Sequence, residues 1–206
     1  MEIITHRGHW TTPAERNTLA AFERSFAHGT GAEIDVRDLD GRLVVSHDPP
    51  RAGALAFNDV LGAHAAHGHP GVLAINVKAD GLAPALAAEL DATPRWFVFD
   101  MSVPDSLHYA RVGAPFFTRQ SEFELEPSLY EQASGVWIDC FDRDWVDEAT
   151  VSKHRRAGKA VCLVSPELHG RPCEAVWDVW RTWGVRHDKA VSVCTDLPER
   201  ADGCLS

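Results

Sequence analysis

Eight short runs rich in β-branched and aromatic residues recur along this chain, and the gaps between them carry the spacing or the end signals of helices. The runs are EIITH, GAEIDV, GVLAINVK, WFVFDM, APFFTR, GVWIDCF, KAVCLVS and AVSVCTD. In NTLAAFERSFAHG, Leu19, Phe22 and Phe26 fall on one stripe and Gly29 can end the segment; DWVDEATVSKHRRAG and CEAVWDVWRTWG close on glycine in the same way. Strand followed by helix, eight times over, predicts a parallel sheet of βα units. After AEIDVR the chain reads DLDGRLVVSHD, an Asp-Gly turn between strand formers, so a hairpin returns from the second strand before the third begins.

This pattern predicts an α/β fold, a compact (β/α)8 TIM barrel with a β-hairpin arm after strand 2. With 206 residues the chain is near the lower limit for that fold and reads as a single domain over 1–206. Some helices must be short, and the link between WFVFDM and PFFTR has room for about two turns at roughly 3.6 residues each. An open doubly wound sheet is the alternative, but no glycine-rich loop follows the first strand to hold a nucleotide.

Thirty acidic residues against 20 basic ones give a net charge of -10, which repels nucleic acid and anionic membranes unless a basic patch intervenes. KHRRAGK (153–159) is the only basic cluster, and its pattern is that of a solvated helix end. No run approaches the roughly 18 apolar residues of a membrane span, and MEIITHRG lacks the basic start and apolar length of a signal peptide. These features favour the cytoplasm. The five cysteines form no CxxC pair, and three lie in strand-like runs, which reads as buried free thiols.

Charges at strand ends need a reason. His6 and Arg7 end the first strand, Glu33 and Asp35 the second, His47 and Asp48 the hairpin arm, and Asn76 and Lys78 the third. In a barrel such ends gather at one mouth. Side chains alternate along a strand, so Glu33 and Asp35 share a face while Ile34 and Val36 take the other. Two inward carboxylates about 6–7 Å apart along the strand repel unless a cation or basic groups neutralise them, which is divalent-metal chemistry with oxygen ligands. Later strands end in Arg119, Gln120, Trp137, Asp139, Glu167 and His169, candidates for lining a pocket for a polar, sugar-like group; helix starts and loop contacts are the plainer explanation. His64, His67 and His69 in AHAAHGHPG precede the third strand, at the end opposite the mouth, and fit a solvated helix end better than a metal site. Neither GxSxG nor a dinucleotide fingerprint is present.

HRG (6–8), NTLAAF (17–22), EIDVRDLDGRLVVSHD (33–48) and INVK (75–78) resemble the glycerophosphodiester phosphodiesterases and their relatives, which share a phosphatidylinositol phospholipase C-like barrel; TDLPE near the end resembles that family's last strand and turn. The resemblance is specific over the first 78 residues and rests on strand and helix pattern beyond them. It implies a metal-dependent phosphoric diester hydrolase acting on a small glycerophosphodiester-like or sugar-linked substrate. It further implies His6 and His47 as general acid and base, Glu33 and Asp35 as ligands of a divalent cation, Mg2+ or Ca2+, and Arg7 and Lys78 as phosphate holders. Asn76 stands where the family has a third acidic ligand, and an amide oxygen ligates without bringing charge. The alternative implied by Asn76 is a barrel that binds a phosphorylated ligand without turning it over.

Overall fold

The computed structural model describes residues 1–205. In chain order the elements are β1 (Glu2–Thr5), α1 (Leu19–Ala27), β2 (Gly31–Leu39), β3 (Arg42–Val45), β4 (Leu55–Ala56), α2 (Phe57–Ala66), β5 (Leu73–Val77), α3 (Ala83–Glu89), β6 (Trp96–Phe99), α4 (Val103–Val112), β7 (Phe117–Gln120), β8 (Gly135–Ile138), α5 (Glu148–Arg156), β9 (Ala160–Val164), α6 (Glu174–Trp180), β10 (Val191–Thr195) and α7 (Pro198–Leu205). All eight predicted runs form strands, and the Asp40-Gly41 hairpin is present. The fold is α/β with mostly parallel pairing.

Seven α-helices are present among the described residues, where eight were expected. The missing one would lie between β7 and β8. There Ser121 Oγ takes the backbone N–H groups of Phe123 and Glu124, and the Glu122 carboxylate accepts from the N–H groups of Phe141, Asp142 and Arg143. Side chains that bond backbone locally compete with helix formation, and Pro127 removes a further donor. The link between β6 and β7 departs the other way: α4 has ten residues, nearly three turns.

The chain divides into two compact units, Thr5–Phe116 and a second made of Met1–Ile4 with the chain from Phe117 onward. In the first, β2 pairs parallel with β5 and β5 with β6, while β3 returns antiparallel along β2 and β4 along β3. Asp40 and Gly41 both take left-handed backbone, φ 51° and 76°, as a tight two-residue hairpin requires. α1 packs against β2 and α2, and α3 against α4. Residues 31–36 of β2 are all buried, so both faces of this strand are covered. Where β2 starts beside β5, a Cβ on Gly31 would lie 2.3 Å from the Val72 carbonyl oxygen.

In the other unit the strands run in the order β1-β10-β9-β8-β7, with β7 through β10 parallel. Ile3, Val136, Ile138, Val161, Leu163, Val191 and Val193 from the strands meet Val151, Trp177, Trp180 and Leu205 from the helices in one core. Asp147 caps α5, its Oδ1 accepting from Thr150 N at 2.8 Å. The basic segment at the end of α5 is less solvated than its pattern suggested. Arg155 pairs with Asp188 at 2.7 Å, Lys159 Nζ donates to the Glu131 and Ala133 carbonyls, and His154 is buried between Tyr130 and Gln120.

A second correction concerns the histidines after α2. His64 is fully buried against Phe26, with Nε2 on the Pro70 carbonyl at 3.0 Å, while His67 is exposed. Burial holds His64 below the usual imidazole range. All five cysteines are free and four are buried. Among the described residues no helix is long and apolar enough to cross a membrane.

Candidate functional site

The site is built on the turn after β1, the middle of β2 and the ends of β5 and β6. β1 stops at Thr5, and Arg7 takes left-handed backbone with φ 58°. Its N–H donates to Glu33 Oε2 at 3.0 Å, and its Nε lies 3.0 Å from Asp35 Oδ2. Asn17, also left-handed at φ 59°, donates its backbone N–H to the Arg7 carbonyl at 3.0 Å and its Nδ2 to Asp35 Oδ2 at 2.8 Å. From β5, Asn76 sits opposite Asp35 in the parallel register. Lys78 Nζ stands 3.4 Å from Asp35 Oδ1 and 4.0 Å from Asp100 Oδ2.

Glu33 and Asp35 were expected at the end of strand 2 and are found within it, because β2 runs on to Leu39 as one arm of the hairpin. What ends beside them is the parallel ladder, at Val36 and Val77. The consequence is a carboxylate pair that is 1% and 0% exposed. Burial raises the Glu33 carboxyl, the Asp35 charge raises it further, and His6, Arg7 and Lys78 pull it down without offsetting this; it is pushed up to about 7. Among the described residues, Asn76 Oδ1 and Asp35 Oδ1 are buried without a hydrogen-bond partner. An all-oxygen set with one under-compensated carboxylate and unsatisfied acceptors matches the donor chemistry of a hard divalent cation.

Direct contacts thus unite Arg7, Glu33, Asp35 and Lys78, and strand register adds Asn76. His6 is half-buried, and its charge acts on Glu33. His47 lies two residues beyond β3, exposed, with Nδ1 2.9 Å from Asp48 Oδ1. It is joined to β2 through the Ser46 N–H on the Asp35 carbonyl, 3.0 Å, and Arg37 Nε on its own carbonyl, 3.0 Å. In sequence Asn17 reads only as the first residue of NTLAAF, with no part in the site, and Asp100 was missed. Asp100 offered a signal, a charge closing the apolar run WFVF, with φ 68°.

In the other unit, Asp139, buried at the end of β8, accepts from His169 Nε2 at 3.2 Å and lies 3.6 Å from Arg119 Nη1. The His169 and Phe141 rings meet at 4.7 Å between centroids, tilted by 56°. Gln120 and Glu167 serve the scaffold: Gln120 bonds His154 and the Leu125 carbonyl, and Glu167 accepts from Thr195 Oγ1 and the Asp196 N–H. Trp137 is buried, 5% exposed, on the opposite face of β8 from Val136 and Ile138.

A solved glycerophosphodiester phosphodiesterase from Parabacteroides distasonis superposes with a TM-score of 0.74, covering 99% of this chain and 96% of its own at 18% identity. The chain has the fold of a glycerophosphodiester phosphodiesterase. The Thermotoga maritima glycerophosphodiester phosphodiesterase matches over 97% of this chain and 96% of its own, with a TM-score of 0.65 at 14% identity. A glycerophosphoryl diester phosphodiesterase from P. distasonis gives the same score and identity over 98% of this chain and 85% of its own. No family model and no curated protein matches the sequence.

Proposed function

We propose that this glycerophosphodiester phosphodiesterase fold is a closed (β/α)8 barrel that cleaves a small glycerophosphodiester-like or sugar-linked phosphodiester with a divalent cation and two histidines. The observation that carries the reading is the buried oxygen set of Glu33, Asp35 and Asn76 beside two fixed cations, Arg7 and Lys78. Glu33, Asp35 and Asn76 would hold Mg2+ or Ca2+, which when bound supplies Lewis acidity at a non-bridging phosphate oxygen. Around Asp35 three carboxylates face two cations, since Asp100 joins through Lys78, so a divalent charge turns the site from net negative to net positive. A monoanionic diester is then attracted.

Arg7 engages Asp35 through Nε, which leaves its outer guanidinium nitrogens to hold phosphate oxygens. Lys78 adds a point charge beside them. The Asp48 carboxylate against His47 Nδ1 fixes the ring proton there and leaves Nε2 to move a proton on the reacting oxygen. His6 serves the other oxygen. Attack by a neighbouring substrate hydroxyl gives a cyclic phosphate, and attack by water gives hydrolysis. The five free thiols suit a reducing compartment, the cytoplasm.

An assay across a panel of diesters, with and without Mg2+, Ca2+ and Mn2+, tests this. Cation-dependent turnover is expected, with His6→Ala and His47→Ala each lowering it about a hundredfold or more. Absence of turnover on every diester with every cation would leave a barrel that only binds phosphorylated ligands.

A further inference from the structure

We propose that Asn17 is a positioning residue that fixes Asp35 so that its Oδ1, rather than its Oδ2, is the oxygen presented to a cation; this rests on the cation site proposed above. Asp35 Oδ2 accepts a hydrogen bond from Asn17 Nδ2 at 2.8 Å and has Arg7 Nε beside it at 3.0 Å as an ion pair, without hydrogen-bond geometry. Among the described residues, Asn17 thus supplies the one hydrogen bond that holds this oxygen. Oδ1 has Lys78 Nζ at 3.4 Å and no hydrogen-bond partner among the described residues. The carboxylate is therefore divided between an oxygen hydrogen-bonded by Asn17 and an oxygen without a hydrogen bond.

The residue type is demanding at this position. Backbone at φ 59° is entered readily only by glycine, asparagine and aspartate among common residues. Glycine has no donor for Asp35, and aspartate would add a carboxylate against it. Asparagine meets both conditions. Its backbone N–H also donates to the carbonyl of Arg7, so one residue sets the peptide of Arg7 and the carboxylate that Arg7 holds.

The amide's own satisfaction is incomplete: Asn17 Oδ1 is buried without a hydrogen-bond partner among the described residues. Turning the amide over would set this oxygen against Asp35 Oδ2, so the orientation is dictated by the carboxylate. A residue selected for stability alone would not leave a buried acceptor unmet.

The test is calorimetric titration of Mg2+ and Ca2+, without substrate, into wild type, Asn17→Gly and Asn17→Ala, with Glu33→Gln as the control for the site itself. Glycine keeps the left-handed backbone, and alanine deletes the same amide without adding chain freedom. Expected are cation binding in wild type, none measurable in Glu33→Gln, and binding weakened about 10–100-fold in both Asn17 variants, the scale of losing an orienting partner of a ligand. The midpoint of thermal unfolding of metal-free Asn17→Gly should stay close to wild type. Equal affinity in wild type and either folded Asn17 variant would overturn this inference and leave the cation site standing. A wild type that binds neither cation would overturn the cation site and this inference with it.

Discussion

Asn76 occupies a position where chemistry favours a charge and the sequence supplies a neutral oxygen. With Glu33 and Asp35 as the only carboxylates of the proposed ligand set, Asn76→Asp should tighten cation binding in the absence of substrate by about tenfold, the scale of one added oxygen charge in a polar site; titration of both proteins with Ca2+ decides it, and an unchanged affinity would move Asn76 away from the proposed cation. Glu33 supports a second expectation. Its carboxyl is raised from an ordinary 4.5 to about 7, so the folded protein holds this proton more tightly than the unfolded chain. Its contribution to metal-free stability is therefore full below about 4.5 and is lost as pH rises to about 7. Glu33→Gln should flatten that slope, melting closer to wild type at pH 4.5 and above it at pH 8. Melting curves at the two pH values, compared between the proteins, isolate this group from the other titrating residues.

At the scale of elements, the strands were legible because β-branched runs bounded by Gly, Asp and Pro admit few other readings. The hairpin was legible from Asp40-Gly41. The eighth helix failed because its segment gives its polar side chains to backbone groups, Ser121 to the turn and Glu122 to residues 141–143, and periodicity does not reveal such competition. The carboxylates of the site were visible as charges in apolar runs. Asn17, a neutral amide in a loop, disturbed no pattern. Two glycines show how local surroundings set opposite outcomes. Gly31→Ala would drive a Cβ to 2.3 Å from a backbone oxygen that cannot swing aside, costing about 3 kcal/mol. Gly62, inside α2 with open space around it, should gain about 0.5–1 kcal/mol as alanine. Thermal melts should show Gly31→Ala several degrees below wild type and Gly62→Ala slightly above it; a Gly31→Ala protein as stable as wild type would mean the β2–β5 start relaxes freely.

Over the whole molecule, none of the five thiols is paired, and four are buried. Burial pushes the Cys162 thiol beyond the range of ordinary reactivity and Cys173 up to about 11. A native-state thiol reagent should modify Cys204 fast and the other four only on unfolding, and reductant should leave the melting temperature unchanged. Rapid labelling of a second site would contradict the packing described for the strands. The division of the chain bears on how the protein is made. Thr5–Phe116 is contiguous, whereas the other unit needs Ile3 from the first strand among Val191 and Val193 from the last. During synthesis from the amino end, the contiguous unit is available to fold while the partner of Ile3 has yet to be translated. Pairing β1 with β10 is a late, long-range closure, and Ile3 joins the core of Val191 and Val193 only when the last strand has been made.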